Sequence, residues 1–176
     1  MMATTTDDIK RLREETSCGV IDCKKALEEA KGNFSKAKEL LRKRGLEMAA
    51  KKSDRLAKEG RLEAYIHHGN KIGVIVEVNC ETDFVARSED FCKFTRDVAI
   101  QIAALNPKYI KKEDIPADVL AREADKEVYI KANCLLAQAY VKDPGKNIQD
   151  LLNELVAKIG ENIVIKRFVR YMLGDE

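Results

Sequence analysis

Near Gly60 the hydrophobic pattern of this 176-residue chain changes its period, and that change limits the fold more than any other feature. Before it, apolar residues recur at three- and four-residue spacings, the repeat of a helix that turns one face to a core. After it, Leu62, Ala64 and Ile66 alternate with polar residues. A turn follows at His68-Gly69-Asn70, and Ile72, Val74, Val76 and Val78 then resume the alternation. Two such runs joined by a short glycine-containing turn predict an antiparallel hairpin. The expected fold is α+β: a small helical domain over residues 1–45, a helical linker over 46–60, and a core domain over 61–176 with a three-stranded antiparallel sheet and packed helices.

The helical part divides at its glycines. Thr5 with Asp8 can cap a helix carrying Ile9 and Leu12, which ends at Ser17-Cys18-Gly19. A second carries Cys23, Ala26, Leu27 and Ala30 and stops at Gly32. A third opens near Asn33, aligns Phe34, Ala37, Leu40 and Leu41, and stops at Gly45. None of the three is long enough to be stable alone, so they must pack together. Residues 46–59 are rich in helix formers but have a thin apolar stripe, which suits an exposed connector.

In the core domain Ser88 is a good N-cap for a longer helix with Phe91, Phe94, Val98, Ile102 and Leu105 on one face, ending at Asn106-Pro107. Another helix is expected from about Pro116 to Ala132. Cys134 to Val141 reads equally as helix or strand, and Asp143-Pro144-Gly145 as a turn. A helix with Leu151, Leu152, Leu155 and Ile159 closes at Gly160. The last strand, Asn162 to Met172, would be the third of the sheet; its alternation changes phase between Ile165 and Phe168, the mark of a bulge.

Composition narrows the function classes. Lys and Arg number 32 against 30 Asp and Glu, so no global positive field marks a nucleic-acid or membrane binder, and a protein partner fits better. The five cysteines, Cys18, Cys23, Cys80, Cys92 and Cys134, form no C-x-x-C pair, and a reducing compartment follows as the default. With no apolar run of membrane-span length and no secretion signal in MMATTTDDIK, the expected location is the cytosol, or an organelle matrix after cleavage.

No nucleophile has a matching base, and the only histidines, His67 and His68, are neighbours on an expected strand and point to opposite faces. Neither a metal set nor a phosphate-cradling glycine loop is present, so no cofactor is expected. Arg42, Lys43, Arg44, Lys51, Lys52 and Arg55 cluster, but Glu39, Glu47 and Asp54 are interleaved with them, as on a solvated helix face. The segment Thr82-Asp83-Phe84-Val85-Ala86-Arg87 is different in kind. It lies between an expected strand and an expected helix and sets an acid beside a bulky aromatic. Two readings stand. Phe84 is either a wedge that fills a partner's pocket while Asp83 orients it, or a core residue tucked under the loop.

This run, with Val78-Asn79-Cys80-Glu81 before it, resembles a signature of elongation factor Ts. Leu12-Arg13 through Gly19, Asp22-Cys23-Lys24-Lys25-Ala26-Leu27 and Leu40-Leu41-Arg42-Lys43-Arg44-Gly45 are similar to that family's first signature, and Ala157-Lys158-Ile159-Gly160-Glu161-Asn162-Ile163 with Arg167-Phe168 to its last. The resemblance implies a three-helix domain like ubiquitin-associated modules, docking on elongation factor Tu near Arg13, Gly19, Asp22 and Lys24. It implies that Asp83 and Phe84 intrude near the partner's magnesium and phosphate site so that GDP leaves, with Thr82, Val85, Ala86 and Arg87 completing the contact. The factor then binds GDP-loaded and nucleotide-free partner alike, prefers the latter and hydrolyses nothing. Short members of the family work as homodimers, for which a sheet face at Val74, Val76 and Ile165 is a candidate. Two departures are visible. Between Ala132 and Cys134, where relatives have a further helical stretch, the chain has almost nothing, and Gln101 stands where many relatives have a partner-contacting histidine, so that role is not carried over. A peptide-binding first domain and an RNA-binding ribosomal factor are the competing readings; the Thr82–Arg87 loop argues against the first and the near-neutral charge against the second.

Overall fold

A computed structural model of the chain describes residues 5–16 and 18–175; Ser17 of the expected first break lies outside the described residues. The chain divides into two compact units, residues 1–55 with 153–162 and residues 56–152 with 163–176.

In the first unit, helix α1 (Thr6–Thr16) opens on the expected cap. The Thr5 backbone N–H donates to the Asp8 carboxylate at 3.1 Å, and the Asp8 N–H to the Thr5 hydroxyl at 3.2 Å. The Thr5 hydroxyl, donating to the Asp8 carboxylate at 2.7 Å, and then the Thr5 N–H hold that carboxyl below the usual carboxylate range. Helix α2 (Val20–Glu29) ends in a Schellman turn: Gly32 N–H reaches the Leu27 carbonyl and Lys31, with φ of 51°, reaches that of Glu28. Helix α3 (Phe34–Lys52) begins at Asn33, whose side chain accepts from the Lys36 N–H at 3.0 Å. Leu12, Cys23, Ala26, Leu27, Ala30, Ala37 and Leu41 form the core, with Ile9, Cys18, Phe34 and Leu40 at its margin.

The expected stop at Gly45 is corrected. Helix α3 runs through it to Lys52, and Gly45 is buried. A Cβ there would stand 3.6 Å from the Ala157 Cβ and 3.9 Å from the Asn153 carbonyl. The small residue therefore lets another helix lie close and does not turn the chain. That helix is α8 (Ile148–Ile159), counted with the first unit from Asn153 onward and followed by Gly160.

In the second unit, strands β1 (Glu59–Ile66), β2 (Ile72–Cys80) and β5 (Val164–Met172) form an antiparallel sheet in the order β1-β2-β5. The expected hairpin and third strand are present. So is the bulge: Glu77 faces Arg167 but Val78 faces Ile165, which leaves Lys166 as the extra residue. Both histidines lie past the end of β1 in the exposed turn and not on the strand. Gly60 is required by the pairing. Its φ is 147°, and a Cβ would fall 2.2 Å from the Val78 carbonyl oxygen.

Helix α5 (Glu89–Leu105) lies on one face of this sheet, capped by Ser88, whose hydroxyl accepts from the Phe91 N–H at 3.4 Å. It covers Val74, Val76, Val78 and Ile165, all buried. Those positions are therefore sealed by the chain's own helix and are not an open interface, contrary to expectation. Because cross-strand partners share a face, the register places Leu62, Ile66, Ile75, Val169 and Tyr171 together on the opposite face. They are exposed, from 38% at Val169 to 70% at Tyr171.

The helix expected over 116–132 is two, α6 (Ala117–Arg122) and α7 (Lys126–Asn133). Asp125 interrupts it because its carboxylate accepts from the Glu127 and Val128 N–H groups, both at 3.0 Å, and so starts a new helix. The ambiguous stretch after Cys134 becomes a short 3-10 turn and strand β3 (Ala139–Tyr140), paired with β4 (Asp143–Asn147). The turn falls at 141–142, two residues earlier than expected, and Pro144-Gly145 lie in the bulge between the paired Asp143 and Asn147. This segment is held on the outer side of α5. The buried Gln101 side chain donates to the Ala139 carbonyl at 3.0 Å and accepts from the Val141 N–H at 3.0 Å. Lys142 pairs with Asp97 at 2.6 Å.

Three glycine substitutions separate these roles. Gly45→Ala should keep or raise stability by up to about 1 kcal/mol through helix propensity, whereas Gly45→Leu should lose about 1–3 kcal/mol by overpacking. Gly60→Ala should cost about 1–3 kcal/mol through backbone strain and clash. Thermal unfolding measures all three, and a destabilised Gly45→Ala would mean that α3 ends there.

Candidate functional site

Strand β2 leaves the sheet at Cys80, and the chain must turn before α5 can start at Ser88. The intervening residues make one helical turn, α4 (Asp83–Ala86), where the sequence suggested an irregular loop. Thr82 caps it, its hydroxyl accepting from the Val85 N–H at 3.4 Å. The Cys80 thiol donates to the Thr82 carbonyl at 3.1 Å, and at the other end the Cys92 thiol donates to the Ala86 carbonyl at 3.8 Å. The Ser88 hydroxyl takes the Val85 carbonyl at 2.8 Å. A turn this short has no independent stability, so these side-chain bonds from β2 and α5 fix its direction.

That direction excludes one of the two readings of Phe84. Its side chain is 85% exposed, while Ala86 is buried and Val85 half-buried against the unit. Phe84 is not core. Beside it the Asp83 carboxylate meets the Arg87 guanidinium at 2.8 Å. The turn thus presents a bare aromatic ring next to an acid paired with a cation at the end of the same turn, an arrangement able to fill an apolar pocket and to engage a cation or amide donor. It holds no nucleophile and base. Burial pushes the Cys18 and Cys134 thiols up, which disfavours their thiolates. Among the described residues no group of three or more His, Cys, Asp or Glu is placed to hold a metal, and no helix is long and apolar enough to cross a membrane.

The other candidate residues lie in the first unit, described by itself. Gly19 is the N-cap of α2 with extended backbone, Asp22 is in that helix's first turn, and Lys24 stands 3.9 Å from Glu28; all three are exposed, as is Arg13 on α1. Gly19 and Asp22 line an open groove of about 240 Å³ whose floor includes Leu41, Gly45 and Ala157. Sequence reasoning passed over Val20 and Ile21, which are exposed between those residues. The signal was available for Ile21, which lies off the Cys23, Ala26, Leu27 stripe. Gln101, in place of the expected histidine, is buried and committed to the β3 connection.

Because Phe84 stands in solvent, Phe84→Ala should change folding stability by no more than about 0.5 kcal/mol, as surface substitutions do. Truncating a packed aromatic would instead cost about 3–5 kcal/mol. Chemical denaturation distinguishes the two.

The family model for elongation factor TS matches residues 5–130. Proteins named elongation factor Ts are similar over nearly the whole chain. That of Caldanaerobacter subterraneus subsp. tengcongensis is 50% identical, covering 95% of this chain and 95% of its own. That of Carboxydothermus hydrogenoformans is 47% identical, covering 97% and 89%. That of Anaeromyxobacter sp. strain K is 48% identical, covering 95% and 87%. With a family match over more than half its length and relatives this similar along both chains, this chain belongs to the elongation factor Ts family, translation elongation factors classed with nucleotide exchange factors and not with enzymes.

Proposed function

We propose that this protein promotes GDP release from elongation factor Tu, the partner its family implies, by inserting the α4 turn beside the bound magnesium and phosphates so that GTP can rebind. The observation that supports this most is the 85% exposed Phe84 on a turn tied at both ends. Burying a phenyl ring of this size in a partner's pocket is worth about 1.5–3 kcal/mol, and pre-ordering of the turn spares the cost of fixing it on binding. Asp83 adds a negative charge where the partner's metal and phosphates compete for ligands. Because the factor binds the nucleotide-free partner better than the loaded one, nucleotide and factor weaken each other by the same coupling energy. No bond is made or broken by the factor. The first unit supplies docking contacts through Arg13, Gly19, Asp22 and Lys24, joined by Val20 and Ile21, in the manner of a ubiquitin-associated module. The protein works in the cytoplasm or an equivalent matrix, without direct nucleic-acid or membrane contact.

The second element of the proposal is a homodimer through the open face of the sheet. Leu62, Ile66, Ile75, Val169 and Tyr171 are apolar or aromatic, and the charged neighbours Glu77 and Arg167 neutralise each other at 2.6 Å. A neutral apolar sheet face is matched best by a neutral apolar surface, and a second copy of the same face meets that condition under two-fold symmetry.

Release of a fluorescent GDP analogue from elongation factor Tu should accelerate as the protein is titrated, and a flat rate would reject the central proposal. Phe84→Ala and Asp83→Ala should each lower the maximal rate by about tenfold or more while the proteins stay folded. Ile21→Ser should instead raise the half-saturating concentration and leave the maximal rate near normal. For the dimer, Ile75→Glu should convert a sedimenting dimer to a 19.9 kDa monomer. A wild-type protein that is already monomeric at micromolar concentration would remove the second element.

A further inference from the structure

Strand β1 is inverted relative to the usual amphipathic edge strand. Its apolar residues Leu62, Ala64 and Ile66 share the open face with Ile75, and its polar residues Arg61, Glu63 and Tyr65 share the helix face with Val78, Val76 and Val74. Placing an arginine and a glutamate against a helix is costly unless every charge is met. Glu63 is nearly buried and bridges two cations, Arg61 at 2.9 Å and Arg96 of α5 at 3.1 Å. Arg96 also donates to the Ala64 carbonyl at 2.9 Å and lies 4.7 Å from the centre of the Tyr65 ring. The remaining arm of the Arg61 guanidinium donates to the Cys92 sulfur at 2.6 Å, and that thiol donates onward to the Ala86 carbonyl, the last of the α4 turn. The Arg61 Nε is buried with no hydrogen-bond partner. Arg61 is thus held between a carboxylate and a thiol, at the expense of one donor.

We propose that Arg61 is a positioning residue for the exchange turn, acting through Cys92 to aim Asp83 and Phe84. This rests on the proposed exchange role of that turn and extends it to a residue on a different strand. The chain of bonds runs from Glu63 through Arg61 and Cys92 to Ala86. Donation into the sulfur from a guanidinium polarises the thiol and strengthens its own donation to the carbonyl. Glu63 fixes the guanidinium plane, and Arg96 fixes Glu63 to α5. The turn is therefore referenced to both the edge strand and the helix, so its ring and carboxylate meet the partner already ordered. Loss of Arg61 leaves Phe84 and Asp83 present but loosely aimed, which lowers the rate of nucleotide release at saturation more than it lowers docking.

The chain has no tryptophan, so Phe84→Trp places a single fluorescent reporter on the turn. In that background, without any partner, Arg61→Met should lower the reporter's fluorescence anisotropy and raise its quenching by iodide, and Arg61→Lys should restore part of the order. Cys92→Ala, which removes the middle link with a small change of volume, should reproduce the effect and serves as the test if Arg61→Met does not fold. In the natural Phe84 background, Arg61→Met and Cys92→Ala should reduce the maximal GDP-release rate by about tenfold, the scale of a lost charge-assisted hydrogen bond, with the half-saturating concentration changed much less. Unchanged anisotropy and quenching in a folded Cys92→Ala protein would overturn the proposal, as would a loss confined to the half-saturating concentration. If Asp83→Ala and Phe84→Ala leave nucleotide release intact while the reporter still loosens, the exchange reading fails and the positioning of the turn stands.

Discussion

One helix covers one face of a three-stranded sheet, and most of what this protein presents to its surroundings follows from that one-sidedness. Helix α5 seals Val74, Val76, Val78 and Ile165, and the buried apolar surface there ties β2 at the centre of the second unit. On the other face, the apolar residues of β1 and the outer positions of β2 and β5 are exposed. The same geometry brings the polar side of β1 against α5, where Glu63 pairs with both Arg61 and Arg96. An exposed apolar face and a half-buried ion network are thus two sides of one strand's orientation.

The short α4 turn depends on this arrangement too. It spans the gap between the end of β2 and the cap of α5, and it buries only Ala86. Its position comes from bonds at both ends: the Cys80 thiol below Thr82, the Cys92 thiol and Ser88 hydroxyl at Val85 and Ala86. Individually such bonds are weak. Together they hold a four-residue element that could not order itself, and they allow an aromatic ring to stand in solvent without the turn collapsing onto it.

On the outer side of α5, the buried side chains Gln101 and Asp97 both have partners. Gln101 is hydrogen-bonded through both ends of its amide, and Asp97 pairs with Lys142. Burial, reinforced by the neighbouring Asp97, pushes the pKa of the Tyr140 phenol up, so that side chain remains a neutral partner throughout the ordinary pH range. These contacts fasten the irregular segment through β3 and β4 to the helix and explain why α5 is buried nearly all round.

Much of this was legible in the residues themselves because it depends on local chemistry. The cap bonds at Thr5, Asn33 and Ser88, the turn between His67 and Lys71, the bulge at Lys166 and the shift from helical to strand period at Gly60 each arise within a few residues of chain. The sequence also singled out the run Thr82 to Arg87, although it could not say on which side of the surface Phe84 would lie. What only the tertiary structure decided concerns residues whose neighbours are distant in sequence. Gly45 reads as a helix stop until α8 is seen against it, and the alternation of Leu62, Ala64 and Ile66 leaves open which face is covered until β1 is paired in a register that turns them away from α5. A period-two pattern states that a strand has two different faces; which face a helix will cover is set by what that helix can pack against, and here the valines of β2 took it first.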